Sequence, residues 1–153
     1  MKRSLLLVKP ESVAHEDAVV RWLGDQGFVS DKAHRRQGWR AMLPVMYPEF
    51  PPQIIAEYRD LYDSHSMADE YLVIRVHHPE DALGRLASLK GHFRAYQDRP
   101  EESLRGLWGL PSAFNRVRGD ITLVLNGFHA PASDEELALN EQLFNDVSGN
   151  AAP

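Results

Sequence analysis

Asn126 and His129 stand where the apolar, β-branched run Ile121-Thr122-Leu123-Val124-Leu125 gives out, just ahead of Ala130-Pro131-Ala132-Ser133 and a helix start. Such a run reads as a buried strand, and polar groups at its exit are where chemistry should be sought. An imidazole loses its proton near neutrality, so it can serve as base, nucleophile or ligand. The chain has seven histidines, and this one needs company before any role is assigned. Lys9 is one companion, because Pro10 removes a backbone donor and leaves Lys9 at the end of another strand. Further cations fall in residues 92–120, where Arg94, Arg99, Arg105, Arg116 and Arg118 are interleaved with Tyr96 and Trp108. Guanidinium forks match phosphate oxygens and could clamp a phosphorylated ligand, and equally they could pair with acidic side chains elsewhere. The pair His77-His78 invites a metal reading. Adjacent histidines on a strand end point to opposite sides and no third ligand is evident, so no protein metal site is expected.

The elements that must position these residues follow from periodicity. Residues 4–8 form a fully buried first strand, and a helix with Ala18, Val19, Trp22 and Leu23 on one face ends at Gly27. Residues 29–43 mix Lys32, Arg35, Arg36 and Arg40 with Val29, Ala33, Trp39, Met42 and Leu43, a pattern that predicts an edge strand or hairpin. After the proline-rich punctuation Tyr47-Pro48-Glu49-Phe50-Pro51-Pro52, a helix buries Ile54, Ile55, Tyr58, Leu61 and Tyr62. Residues 71–76 are a strand, and the next helix buries Ala82, Leu83, Leu86 and Leu89 before stopping at Gly91. Residues 92–120 carry Pro100, Gly106, Gly109, Pro111 and Gly119 and form the least regular part, the kind of long loop that is usually functional or disordered. Ser133 and Glu136 make a capping box for a last helix with Leu137, Leu143, Phe144 and Val147. Strands alternating with crossover helices predict an α+β, ferredoxin-like split βαβ sandwich with an inserted helix and an extra C-terminal helix.

Length, charge and cysteine content narrow the function. The 153 residues fit one domain over 1–147 and a flexible tail over 148–153. A formal charge of −5 and a pI near 5.8 argue against nucleic acid or an anionic membrane as partner. There is no cysteine, which excludes disulfides, thiolate metal sites and a thiol nucleophile and fits a cytoplasmic location. The apolar run Leu5-Leu6-Leu7-Val8 is too short for a signal-peptide core or a membrane span.

Four ordered pieces give the chain a resemblance to nucleoside diphosphate kinases over nearly its full length. Leu5-Leu6-Leu7-Val8-Lys9-Pro10-Glu11-Ser12-Val13 resembles that family's opening strand and Lys-Pro-Asp-Ala-Val turn, with a helix and Gly27-Phe28 behind it. The strand over 71–76 leads to a helix ended by Gly91. Ser103-Leu104-Arg105-Gly106 is similar to Thr-Ile-Arg-Gly, and Asn126-Gly127-Phe128-His129 is similar to Asn-x-x-His. The resemblance implies a ping-pong transfer in which His129 takes the γ-phosphate of a nucleoside triphosphate and passes it to a nucleoside diphosphate. It further implies that Lys9 and Asn126 hold ribose and phosphates, that Arg105 binds phosphate, that Mg2+ arrives on the nucleotide, and that the chain forms a homo-oligomer.

Departures from the family pattern are as specific as the matches. Ala130-Pro131-Ala132-Ser133 replaces Gly-Ser-Asp-Ser, so the serine that helps position the ring is absent. By ungapped count the orienting glutamate falls on Asn140, with Glu141 next to it and facing elsewhere. Ala87 stands where a second phosphate-binding arginine is expected, leaving Arg94 as a stand-in, and Phe93 replaces a phosphate-binding threonine. Val117-Arg118-Gly119-Asp120 also resembles the arginine motif, so Arg118 competes with Arg105 for one role, and spacing from Gly91 favours Arg105. Phe50 and Tyr58 are the candidates for base stacking. The departures leave an alternative to the phosphotransferase: a catalytically weak or inactive nucleotide-binding relative on the same fold.

Overall fold

Alternation along one short strand divides the core in two. Strand β1 (Lys2–Val8) is buried from Ser4 to Val8, and because successive side chains point to opposite faces, Leu5 and Leu7 enter one cluster while Leu6 and Val8 enter the other. The computed structural model describes residues 1–144; Val147 of the last helix and the tail expected from residue 148 lie outside the described residues.

β1 pairs antiparallel with β4 (Glu70–His78) from Lys2↔His78 to Val8↔Leu72. Its other edge pairs with β7 (Phe128–His129) through Leu7↔His129 and Val8↔Phe128. The outer edge of β4 carries β2 (Val29–Ser30) and β3 (His34–Gln37), both antiparallel. With β2 and β3 taken as one interrupted strand, the order β2/β3-β4-β1-β7 is the ferredoxin-like arrangement that the alternation of strands and helices predicts. A 3-10 turn over Pro10–His15 feeds α1 (Glu16–Asp25), and α4 (Ala82–Lys90) begins at Asp81, whose carboxylate accepts the Gly84 N–H at 2.9 Å. Val19, Leu23 and Leu86 from these two helices join Leu6 and Val8. The opposite face is covered by α2 (Trp39–Met46), α3 (Pro52–Ser64) and α6 (Asp134–Leu143), through Trp39, Leu43, Ile55, Tyr58 and Leu137.

Three sequence expectations are corrected. Residues 29–43 are strand only as far as Gln37. Trp39 and Leu43, both fully buried, lie at i and i+4 of α2, so there are two inserted helices where one was expected. Pro44 deprives α2 of one donor, and the carbonyl of Arg40 that would have received it accepts from Arg59 Nε at 3.3 Å. The apolar run before the histidine also behaves differently. Only Ile121–Leu123 is strand (β6), and it pairs with β5 (Arg116–Arg118) in a separate two-stranded sheet. Residues 124–127 are held instead by groups outside the sheet, with Leu125 N–H donating to Asn115, Leu125 C=O accepting from Leu110 and Val124 C=O accepting from Tyr58 Oη of α3. The main sheet receives only Phe128 and His129. Within the irregular stretch, Ser103 caps the short helix α5 (Leu104–Trp108), which buries Leu104 and Arg105. Among the described residues no helix is long and apolar enough to cross a membrane.

Candidate active site

A cavity of about 350 Å³ opens where β1 ends and β7 begins, walled by Lys9, Tyr47, Phe50, Phe93, Arg105, Asn126 and His129 among others. Lys9 is 2% exposed, and a buried ammonium needs acceptors. Its Nζ donates to Asn126 Oδ1 at 2.8 Å and to Tyr47 Oη at 3.1 Å. The Asn126 amide in turn donates to the carbonyl of Phe93 at 3.0 Å. The backbone is stitched at the same place: Lys9 N–H donates to Gly127 C=O at 2.8 Å, and Gly127 N–H donates to Glu11 Oε2 at 2.9 Å. Glu11 also accepts from Tyr62 Oη at 2.9 Å. Burial holds its carboxyl above the usual range against the opposing pull of Lys9. Gly127 has φ +85°, and a Cβ there would sit 2.0 Å from Ser12 Oγ, so only glycine turns the chain from Asn126 into β7.

His129 is held from its Nε2 side. Nε2 lies 3.2 Å from Asn140 Oδ1 and 3.3 Å from Glu136 Oε1. A ring whose Nε2–H donates to Asn140 carries its free lone pair on Nδ1. Glu136 Oε2 accepts the Ala132 N–H at 3.0 Å, and Ser133 Oγ accepts the Glu136 N–H at 3.1 Å, so the capping box doubles as a clamp on the histidine. On the outer edge of β7 two cations take the place of a neighbouring strand. Arg105 Nε and Nη2 donate to Phe128 C=O at 3.1 and 2.8 Å, Arg105 Nη1 donates to Gly91 C=O at 2.9 Å, and Lys90 Nζ donates to Ala130 C=O at 2.8 Å. Burial first, then Lys9 and Lys90, lower the His129 pKa to about 3. The ring is neutral at pH 7.

That depressed pKa has a consequence for stability. The unfolded chain takes up a proton on His129 below its ordinary pKa of about 6.5, while the folded chain refuses it until near pH 3. The stability is therefore complete at pH 7 and is lost progressively on acidification through this window. Between pH 7 and pH 5 the wild type should lose about 2 kcal/mol more than His129→Asn, as read by denaturant unfolding at both pH values.

No family model matches the chain, and no curated protein matches it in sequence. Its backbone does resemble solved structures. The Aquifex aeolicus nucleoside diphosphate kinase superposes with a TM-score of 0.67 over 94% of each chain at 15% identity. The fold is that of the nucleoside diphosphate kinases. The Halobacterium salinarum enzyme, solved in complex with CDP, gives 0.66 over 94% of this chain and 86% of its own at 18% identity. The Encephalitozoon cuniculi enzyme gives 0.60 over 94% and 88% at 15% identity.

Within this nucleoside diphosphate kinase fold, four of the six residues singled out from the sequence, Lys9, Arg105, Asn126 and His129, line one cavity. Arg94 and Arg118 are not among the lining residues. Arg94 is exposed, with its guanidinium 4.9 Å from the Phe93 ring centroid. Arg118 is paired with Glu57, and Arg116 with Asp60 at 2.9 Å, so these two arginines fasten the β5–β6 hairpin to α3. Phe50 and Tyr58 both line the cavity, and Phe50 stacks on Tyr47 with ring centroids 5.2 Å apart. His78 accepts the N–H groups of Glu80 and Asp81 and His77 faces Asp31; among the described residues no cluster could hold a metal ion. Three residues escaped the sequence reading: Tyr47, Lys90 and Glu136. Tyr47 was hidden in proline punctuation and Lys90 in the last turn before a glycine. Glu136 carried a readable signal, because it stands four residues before Asn140 and so on the same face of a helix.

Proposed function

We propose that the chain is a phosphotransferase that moves the γ-phosphate of a nucleoside triphosphate to a nucleoside diphosphate, or to a specialised related acceptor, through a phosphohistidine at His129. The observation that carries this reading is an imidazole held at Nε2 in the same cavity as Lys9 and Asn126. Nδ1 attacks the γ-phosphorus, an N–P bond forms, and the bond to the bridging oxygen breaks with its electron pair leaving on the diphosphate. The second half runs the same step backwards onto the acceptor. Lys9 has one N–H beyond those given to Asn126 and Tyr47, which is left for a phosphate oxygen, while the field of Lys90 and Arg105 favours the anionic group on the ring. Tyr47, Phe50 and Phe93 give the cavity aromatic surface for a nucleobase.

Magnesium would be held by the phosphate oxygens of the nucleotide and by water; the cavity wall carries two carboxylates, Glu49 and Asp120, as well as the cations Lys9 and Arg105. When bound, it supplies charge neutralisation on the phosphates. The resemblance extends the proposal to a cytoplasmic homo-oligomer. A second reading, nucleotide binding without turnover, is favoured by one observation: three N–H groups of Arg105 are already taken by backbone carbonyls. Mixing a panel of triphosphate donors with diphosphate acceptors separates the two. Exchange with ping-pong kinetics is expected, absent in His129→Ala; a rise in melting temperature with triphosphate but no exchange would support the second reading instead.

A further inference from the structure

Asn140 and Glu136 present two chemically unequal acceptors to one nitrogen of His129. They lie one turn apart on α6 and reach the same Nε2, at 3.2 Å from the amide oxygen and 3.3 Å from the carboxylate. An amide oxygen is sufficient for a neutral ring, whereas a carboxylate stabilises a cationic one. The resting ring is neutral because everything else that faces it opposes a proton: burial, Lys9 at the end of β1, Lys90 of α4 and Arg105 of α5. Phosphoryl transfer changes that condition. When Nδ1 forms its bond to phosphorus while Nε2 keeps its proton, the ring becomes cationic, and the carboxylate beside Nε2 is Glu136. Its second oxygen is anchored on the Ala132 N–H at 3.0 Å, so the carboxylate is in place before the charge develops.

We propose that Glu136 is a positioning residue which takes over Nε2 from Asn140 as the His129 ring becomes cationic, so that neutral and phosphorylated rings have different partners. The proposal rests on the phosphotransferase reading. It also gives the loop Ala130-Pro131-Ala132-Ser133 a task, since the Ala132 N–H fixes the carboxylate in a segment that lacks the serine expected there.

The test is single-turnover phosphorylation with labelled triphosphate, combined with nitrogen-15 NMR of the histidine rings, on wild type, Glu136→Gln and Asn140→Ala. Glutamine keeps an acceptor for Ala132 and removes only the charge. Glu136→Gln is expected to melt close to wild type and to keep the neutral Nε2–H tautomer. Its phosphoryl uptake should fall about ten- to a hundredfold, and its phosphorylated ring should lose the Nε2 proton about one pH unit lower. Asn140→Ala should be the milder change, because Glu136 remains as an acceptor. Uptake and ring titration unchanged in Glu136→Gln, with the wild type labelled, would overturn this proposal alone, as would a greater loss in Asn140→Ala. A wild type that takes no label overturns it together with the phosphotransferase reading.

Discussion

Replacing Lys9 with methionine is expected to slow phosphoryl transfer from a nucleoside triphosphate by about a hundredfold to a thousandfold and to raise the pKa of His129. Methionine fills most of the buried channel that the lysine occupies while removing its charge. On the proposed mechanism the rate loss follows from removing a preorganised donor to developing phosphate charge, a change that in other enzymes carries effects of this size. The pKa rise follows because the Lys9 ammonium is, after burial, what most opposes a proton on the ring. Asn126 Oδ1 would lose its donor, at a cost of about 1–3 kcal/mol in stability. Exchange kinetics, ring titration and denaturant unfolding on one preparation separate these effects. A variant that keeps the wild-type rate would show that Lys9 serves the fold alone.

Gly127→Ala is expected to be strongly destabilising. The position has φ +85°, and the added Cβ would meet Ser12 Oγ at 2.0 Å, Ser12 Cβ at 3.0 Å and Gly109 Cα at 3.3 Å. Ser12 is itself committed, donating to Trp108 C=O at 2.8 Å, so it cannot swing aside freely. A positive-φ penalty added to a buried clash gives a loss of about 3–4 kcal/mol. For a chain of this size that corresponds to a melting temperature lower by roughly 10 °C. Thermal unfolding checks it, and the double variant with Ser12→Gly should recover part of the loss because the two sites share the contact.

These residues differ in how readily the sequence disclosed them. Lys9, Asn126 and His129 were legible because each follows an apolar run; Lys9 does stand at the end of β1, whereas Asn126 lies in the loop after β6 and His129 within β7. The buried faces of β1, β4, α1, α3 and α4 were legible for the same reason. The run over 121–125 reads as one buried strand, yet only Ile121–Leu123 is strand, and it pairs with β5 in a separate two-stranded sheet. Local pattern specifies that a segment is extended but not which strand it meets, and here Asn115 and Leu110 decide the matter from a loop. Trp39, Met42 and Leu43 have helical spacing, but the charged residues before them drew the reading toward an edge strand that in fact ends at Gln37. Arginines in the irregular stretch were the hardest to place. Composition does not distinguish Arg105, turned inward onto Phe128 and Gly91, from Arg118, paired with Glu57 on the surface. Glu136 reads as the second half of a capping box, but its carboxylate accepts the Ala132 N–H, and its place beside His129 depends on where the loop 130–133 returns the ring.

The most direct test of the central claim is to mix the protein with a γ-labelled nucleoside triphosphate, quench, and locate the label. A phosphoryl group on His129 of the wild type, labile in acid and stable in alkali, chased off by a nucleoside diphosphate and absent from His129→Ala, is the expected result. A wild-type chain that stays unlabelled, or label that persists in His129→Ala, would contradict it.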